Sequence, residues 1–247
     1  MEIHHRLKHL NKFRKYKEYF IEFFVIFVAI LGSYFAENIR DHYVEKHRAK
    51  EYLESMLIEL ESDSASLSVL ISLNNNQVKG LDSLLQLMED TLSGSRINQF
   101  YYFDLRYTLN YNIFNSSNRS ISQLKNTGDL RLIKIKPVSD GIANYEMATD
   151  ALLYQSQLLE SQFTKVKDQQ TGIIDFLTIK KLVKKSSILQ LNAHPAFLTT
   201  DIKTIHAYYF NIFILRGEIN SYISRLTELK KQTSFLINII QKEYNLQ

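Results

Sequence analysis

Apolar and polar positions alternate with two distinct habits along this chain. From Tyr19 to Ala36, "YFIEFFVIFVAILGSYFA", apolar residues are continuous, broken by the single charge of Glu22. From Leu53 onward they recur at spacings of three and four: Leu53, Leu57, Leu60, Ser64, Leu67, Ile71, Asn74, Val78, Leu81, Leu85, Met88, Leu92. That rhythm predicts a long helix with one buried stripe, in which Ser64 and Asn74 are polar interruptions. A second such run predicts a C-terminal helix through Ile202, Ile205, Tyr209, Ile212, Arg216, Ile219, Ile223, Leu226, Lys230, Thr233, Ile237, Ile240 and Tyr244, antiparallel to the first. Between them Pro137 suits the first turn of a helix running to about residue 170, and Pro195 separates that helix from the last. In "NSSNRSISQLKNTGDLRLI", residues 115–133, Ser120 with Gln123 reads as a capping box and Gly128 as a left-handed stop, so a short helix turns back here against the long ones.

Composition agrees with helix throughout. There are 7 Gly, 2 Pro and no Trp in 247 residues, so few positions force a helix to end. "NNNQVKG" at 74–80 is where the first helix would bend if it did; an uninterrupted helix is the expectation. The predicted class is all-α, with five or six helices: an N-terminal transmembrane helix continuing into an extracytoplasmic bundle of long, antiparallel, coiled-coil-like helices.

As a helix, the 18 residues from Tyr19 to Ala36 span roughly 27 Å at about 1.5 Å per residue, close to a ~30 Å hydrocarbon core. Tyr16, Tyr19 and Tyr34 suit the two interfaces. Six of the 30 Lys/Arg and three of the 26 Asp/Glu lie in residues 1–36; the flank from Glu37 to Lys50 holds four Lys/Arg and three acids. The positive-inside bias therefore puts the N-terminus in the cytoplasm. The implied organisation is a basic cytoplasmic tail at 1–18, a span at 19–36 and an extracytoplasmic domain at 37–247, in the bacterial inner membrane. A cleaved secretory signal is the rival reading, although "LGSYFAENIR" lacks a clean small-x-small pair. A soluble core helix is the third. One introduced cysteine, Ser224→Cys, tests the orientation, because the chain has no cysteine of its own.

Charge and chemistry narrow the picture further. The net charge of +4 comes mainly from the tail; the remainder, with 24 basic and 23 acidic residues, is close to neutral, so a nucleic-acid surface is not expected. Without cysteine there is no disulfide, thiolate zinc site or cysteine nucleophile. The histidines are His4, His5, His9, His42, His47, His194 and His206, and none makes an HExxH or similar ligand set. Glycine-rich phosphate loops, nucleophile elbows and kinase signatures are absent from the sequence. Glu59, Glu61 and Asp63 read as the outer face of the first long helix, although sequence leaves a paired-carboxylate site open. No enzyme activity and no cofactor are expected.

Glu22 sits about one turn inside the span, where an acid either serves ion coupling or snorkels to the headgroups and meets Lys15 or Lys17 of a neighbouring chain. "IKKLVKK" groups Lys180, Lys181, Lys184 and Lys185 on one helical side, either as a solvated face or as a contact for anionic lipid or another acidic envelope polymer. The aromatic runs "FYYFDLRY" at 100–107 and "YYFNIF" at 208–213 read mostly as helix packing, with a partner-binding patch as the alternative.

The combination of "EFFVIFVAILGSYFAENIRD", "EYLESMLIELESD", "NRSISQLKNTGDLRLI" and the helix start "VSDGIANYE" resembles an uncharacterised family of single-span bacterial membrane proteins, a domain of unknown function, over about residues 15–150. Members typically carry an Asn-Trp pair after the span; this chain has Asn38 and no Trp, so its interfacial anchor differs. The resemblance implies membrane residence and a helical external domain, and no reaction, substrate or cofactor. The expected function is a membrane-anchored interaction or scaffold protein of the cell envelope, in contact with lipid and with either copies of itself or a protein partner. The alternatives are an external sensor that signals through a separate subunit, and an ion-coupled subunit built on Glu22.

Overall fold

The computed structural model describes residues 2–88, 95–184, 187–188 and 195–246, with side chains at 17, 19–88, 96–183 and 195–246. Among these residues are six α-helices: α1 (Glu2–Leu87), α2 (Ser95–Tyr107), α3 (Arg119–Asn126), α4 (Lys136–Gln170), α5 (Phe176–Leu182) and α6 (Ile202–Tyr244). A 3₁₀ turn at Asp129–Leu132 and a two-residue antiparallel pair, β1 (Val183–Lys184) with β2 (Ser187–Ile188), complete the order. The chain divides into two compact units, Met1–Tyr52 and Leu53–Gln247.

In the first unit the only regular element is helix, unbroken through residues 37–50 as the lack of Gly and Pro there dictates. It contains one segment long and apolar enough to cross a membrane, and the apolar window is not buried at all.

The second unit is built on three stripes with the same spacing. On α1, Leu53, Leu57, Leu60, Leu67, Asn74, Val78 and Leu81 are buried as the periodicity predicted, and the helix runs through 74–80 without a break. Ser64, Ile71, Leu85 and, just past the helix end, Met88 are half-buried, with Leu84 buried in place of Leu85, and Leu92 lies outside the described residues. On α4 the buried set is Val138, Gly141, Ile142, Tyr145, Leu152, Ser156, Leu159, Gln162, Phe163, Val166 and Gln170. On α6 it is Tyr208, Ile212, Leu215, Ile219, Tyr222, Leu226, Leu229, Thr233, Leu236 and Ile240, alternating steps of four and three without exception. This corrects the predicted C-terminal stripe. Ile212, Ile219, Leu226, Thr233 and Ile240 belong to it, but their partners are 208, 215, 222, 229 and 236, and not Tyr209, Arg216, Ile223, Lys230 and Ile237, which are half-buried at its edge. Arg216 and Lys230 carried the clue, since a charged side chain is seldom desolvated without a partner.

α4 and α6 pack as an antiparallel pair. Gln155 Nε2 donates to Glu218 (2.8 Å) and Gln162 Nε2 to the Asn211 carbonyl (3.0 Å), while a Cβ on Gly141 would stand 3.0 Å from Ile239 and Leu236. α1 is tied to α4 through Asp63 and Tyr145 and to α6 through Asp82 and Arg216, whose Nε–Oδ1 distance is 2.5 Å. The irregular stretch between α2 and α3 is fastened to α1 by amides. Asn74 Nδ2 donates to the Asn112 carbonyl and Gln77 Nε2 to those of Tyr107 and Asn110. Asn74, an interruption in sequence, thus satisfies backbone that would otherwise be buried unpaired. Close approach there requires Gly80, because a Cβ would lie 2.3 Å from the Tyr107 ring.

Pro137 lies in the first turn of α4, and Gly128 takes the left-handed conformation (φ 72°) directly after α3, both as predicted. The capping box is absent: the N-cap of α3 is Asn118 and no side chain of its own turn caps it. The Ser120 amide instead donates to Glu59, so a carboxylate from α1 takes the place of a local cap, and Asp63 accepts from the Ser117 amide just ahead of the helix.

Candidate functional site

The apolar segment is the most unusual surface of the molecule. Thirteen large apolar or aromatic side chains between Tyr19 and Phe35 are exposed, on every side of the helix. Phe20 stacks with Phe24 and Phe23 with Phe27, at 6.5 and 6.0 Å between centroids, as i, i+4 pairs. The serine of the segment needs no outside partner, since Ser33 Oγ donates to the Ala29 carbonyl at 2.9 Å. Glu22 is exposed and is the only charged residue from 19 to 36. Lys15, proposed to meet it from a neighbouring chain, has its side chain outside the described residues, and Lys17 is exposed. Beyond the segment, Arg40 pairs with Glu37 and Asp41, and His47 lies 3.8 Å from Glu51, which places both in ordinary helix-surface pairs.

Among the described residues, four carboxylates of the second unit are buried, Glu59, Asp63, Asp104 and Asp129. Glu59 and Asp63 are withdrawn from solvent, contrary to the outer-face reading, and only Glu61 remains exposed. Asp63 accepts from the Ser117 amide and from the Tyr145 hydroxyl; Glu59 accepts from the Ser120 amide and has the exposed Arg119 at 3.6 Å. Burial and the bond to Asp63 push the Tyr145 phenol far up, so it stays a donor. Both acids lie at i+3 and i+7 from buried Met56, a position on the stripe face that already signals burial.

The third, Asp104, was hidden in the aromatic run. Phe100, Tyr101, Asp104, Leu105 and Thr108 are all buried on one face of α2 and its exit. The carboxylate takes hydrogen bonds from Tyr208 on α6 and Gln170 at the end of α4. Desolvation pushes Asp104 up to about 7, and the bonds from Tyr208, Gln170 and Thr108 only partly oppose it. This group joins three helices, and its partners are hydrogen-bond donors without a formal charge.

Beside it lies a cleft of about 480 Å³, whose lining includes Met88, Ile97, Phe197, Ile205, His206 and Tyr209. Phe197 stands edge-on to Phe100 at 4.9 Å, so the aromatic run at 100–107 floors this corner. In the run at 208–213, Tyr208 and Ile212 are buried whereas Phe210 and Phe213 are exposed, so packing and open surface share one motif.

The lysine group is not on one helical side. α5 ends at Leu182, after Lys180 and Lys181, and Lys184 lies in β1, because Val183 is already extended (φ −90°, ψ 109°). Lys180 and Lys181 are exposed next to exposed Phe176 and Leu177. The side chain of Lys184, the whole of Lys185 and His194, and the side chains of His4, His5 and His9 lie outside the described residues. Among the described residues, no three His, Asp or Glu side chains stand together as a metal site.

Compared with known proteins, the chain matches no family model, no curated protein and no solved structure.

Proposed function

We propose that this chain is a single-span membrane protein of the bacterial envelope, anchored by residues 19–36 with residues 1–18 in the cytoplasm, whose remaining helices form an extracytoplasmic bundle serving as an interaction module. The observation that carries the reading is the complete exposure of the apolar segment. A core helix of a soluble protein is covered by its own chain. Thirteen large side chains left in water at roughly 1.5–3 kcal/mol each forgo on the order of 20 kcal/mol, which transfer to lipid recovers. The basic tail and the tyrosines at the ends support the same arrangement. The scaffold role rests on what the module offers, exposed helix faces suited to a partner.

The module's heptad-spaced stripes are occupied within the chain, so self-association or partner binding is assigned to its outer surface. α4 carries a second apolar row, Met147, Tyr154 and Leu158, spaced by seven and four residues and exposed. Phe176 and Leu177 with Lys180 and Lys181 form a mixed apolar and basic end suited to anionic headgroups. The deciding experiment is the mass and composition of the full-length protein purified in mild detergent. A homo-oligomer or a stable second protein is expected; a monodisperse monomer at high concentration from which crosslinking recovers no partner would remove the interaction role.

A further inference from the structure

We infer that the cleft at the head of α6 binds an uncharged, largely apolar molecule that presents one hydrogen-bonding edge. The inference concerns the second unit alone and is independent of whether residues 19–36 cross a membrane. A volume of about 480 Å³ falls within the range of about 300–1,000 Å³ common to small-molecule sites. Met88, Ile97, Phe197 and Ile205 supply apolar wall, and no Lys, Arg, Asp or Glu is among the described lining residues.

The walls are held before any ligand arrives. The Tyr101 hydroxyl donates to the Ala196 carbonyl and accepts from the Asp175 amide, both at 2.9 Å, and the Leu198 amide donates to the Ile173 carbonyl at 2.9 Å. Asp201 caps α6 through the amides of Lys203 and Thr204, and its own amide donates to Thr199 Oγ1. Little ordering therefore accompanies binding.

Polar groups are present and unused. Among the described residues, neither the Thr200 hydroxyl nor the His206 imidazole makes a hydrogen bond; His206 only stacks on Tyr209 at 6.2 Å. Burial pushes the Tyr209 phenol up to about 12, leaving it a neutral donor at any physiological pH. These groups favour a ligand with a hydroxyl, carbonyl or amide edge. An anion is disfavoured by the Asp201 carboxylate beside Thr200, which its Thr204 and backbone hydrogen bonds hold below the usual carboxylate range.

The test uses the full-length chain in lipid nanodiscs with methyl-labelled methionine. The sequence holds 4 Met, of which Met88 lines the cleft while Met56 is buried and Met147 exposed elsewhere in the same unit. Titration with 2-naphthol is expected to move the Met88 methyl resonance to saturation and leave those of Met56 and Met147 in place. The anion 2-naphthoate should need at least about tenfold more for the same shift. Ile205→Trp, which fills the cleft, and Thr200→Trp, which plugs it from an exposed position and spares the core, should each weaken 2-naphthol at least about tenfold. Failure of Met88 to saturate, equal movement at Met56 or Met147, equal affinity for the anion, or unchanged binding in both tryptophan variants would overturn the inference.

Discussion

Residues 19–36 and the buried stripe of α6 are both helical and both made mostly of large apolar and aromatic side chains, yet one is wholly exposed and the other wholly covered. The difference lies in arrangement. On α6 the buried residues fall at alternating steps of four and three, leaving an opposite face that holds Lys203, Ser221, Ser224, Glu228 and Lys231 beside the exposed Phe210, Phe213 and Phe235, so one side can be buried and the other solvated. From Tyr19 to Ala36 there is no polar face to give to water. A helix apolar all round must be surrounded, and only lipid or other chains can surround a segment that its own chain leaves bare. Periodicity thus marks burial in protein, and its loss at high apolarity marks burial elsewhere.

The sharpest way to break this comparison is to truncate one side chain in each region. Leu226→Ala should lower the unfolding free energy of the helical unit by about 2–5 kcal/mol in a denaturant titration, because it empties a fully buried position. Ile26→Ala should leave that transition unmoved, since its side chain touches no core. The converse change is a charge at the centre of the span. Val28→Lys should oppose membrane insertion by about 3 kcal/mol, read as glycosylation-reporter or membrane-fraction yield, and leave the unfolding of the helical unit as it was.

The polar links inside the helical unit come next. Asp63→Ala removes the acceptor of the Ser117 amide and the Tyr145 hydroxyl and should destabilise by about 1–3 kcal/mol, with the loss of α3 protection visible by hydrogen exchange. Gly80→Ala forces a methyl group into the Tyr107 ring and should destabilise by about 1–3 kcal/mol, whereas Gly32→Ala, with open space around its Cβ, should be silent in the same assay. Finally, Asp104 gives the helical unit a pH signature. Its folded pKa of about 7 lies above the ordinary aspartate value of 3.8, so the folded state holds the proton more tightly. The Asp104 contribution to stability is therefore greatest below about pH 4, declines as pH rises to about 7 and is level above that. Asp104→Asn should flatten that slope. Asp175 and Asp201, held below the usual range, work the other way, and their contribution is lost only as pH falls through their lowered values.

Much of the fold could be read because helix leaves a periodic trace. The stripe on α1 from Leu53 to Leu81, the uninterrupted helix through 74–80, Pro137 in the first turn of α4 and the stop at Gly128 follow from local rules of spacing and backbone conformation. The phase of the α6 stripe did not, because both 208/215/222 and 209/216/223 give heptad spacing alongside 212, 219 and 226. Only the penalty for burying Arg216 and Lys230 separates the two. The cap of α3 was misread for a different reason: Ser120 and Gln123 satisfy the local rule, while Glu59 takes the Ser120 amide from 61 residues away in sequence and Asp63 holds the Ser117 amide just ahead of the helix. Acids on a stripe face, at i+3 and i+7 from Met56, are the trace such tertiary caps leave. Asp104 went unread, although the one acid on the apolar face of an aromatic run is the same kind of trace. The cleft was not legible, because its walls come from the end of α1, α2, the segment before α6 and α6 itself, and no local pattern joins them.

The measurement closest to the central claim is alkaline extraction of native membranes combined with thiol labelling of a Ser224→Cys variant, which has a single cysteine on an exposed position of α6. If residues 19–36 are a retained anchor with the helical module outside, the full-length chain stays in the membrane pellet and a membrane-impermeant reagent labels the cysteine in intact spheroplasts. Release of the chain into the soluble fraction, loss of its first 36 residues by mass, or protection of the cysteine until lysis would contradict it.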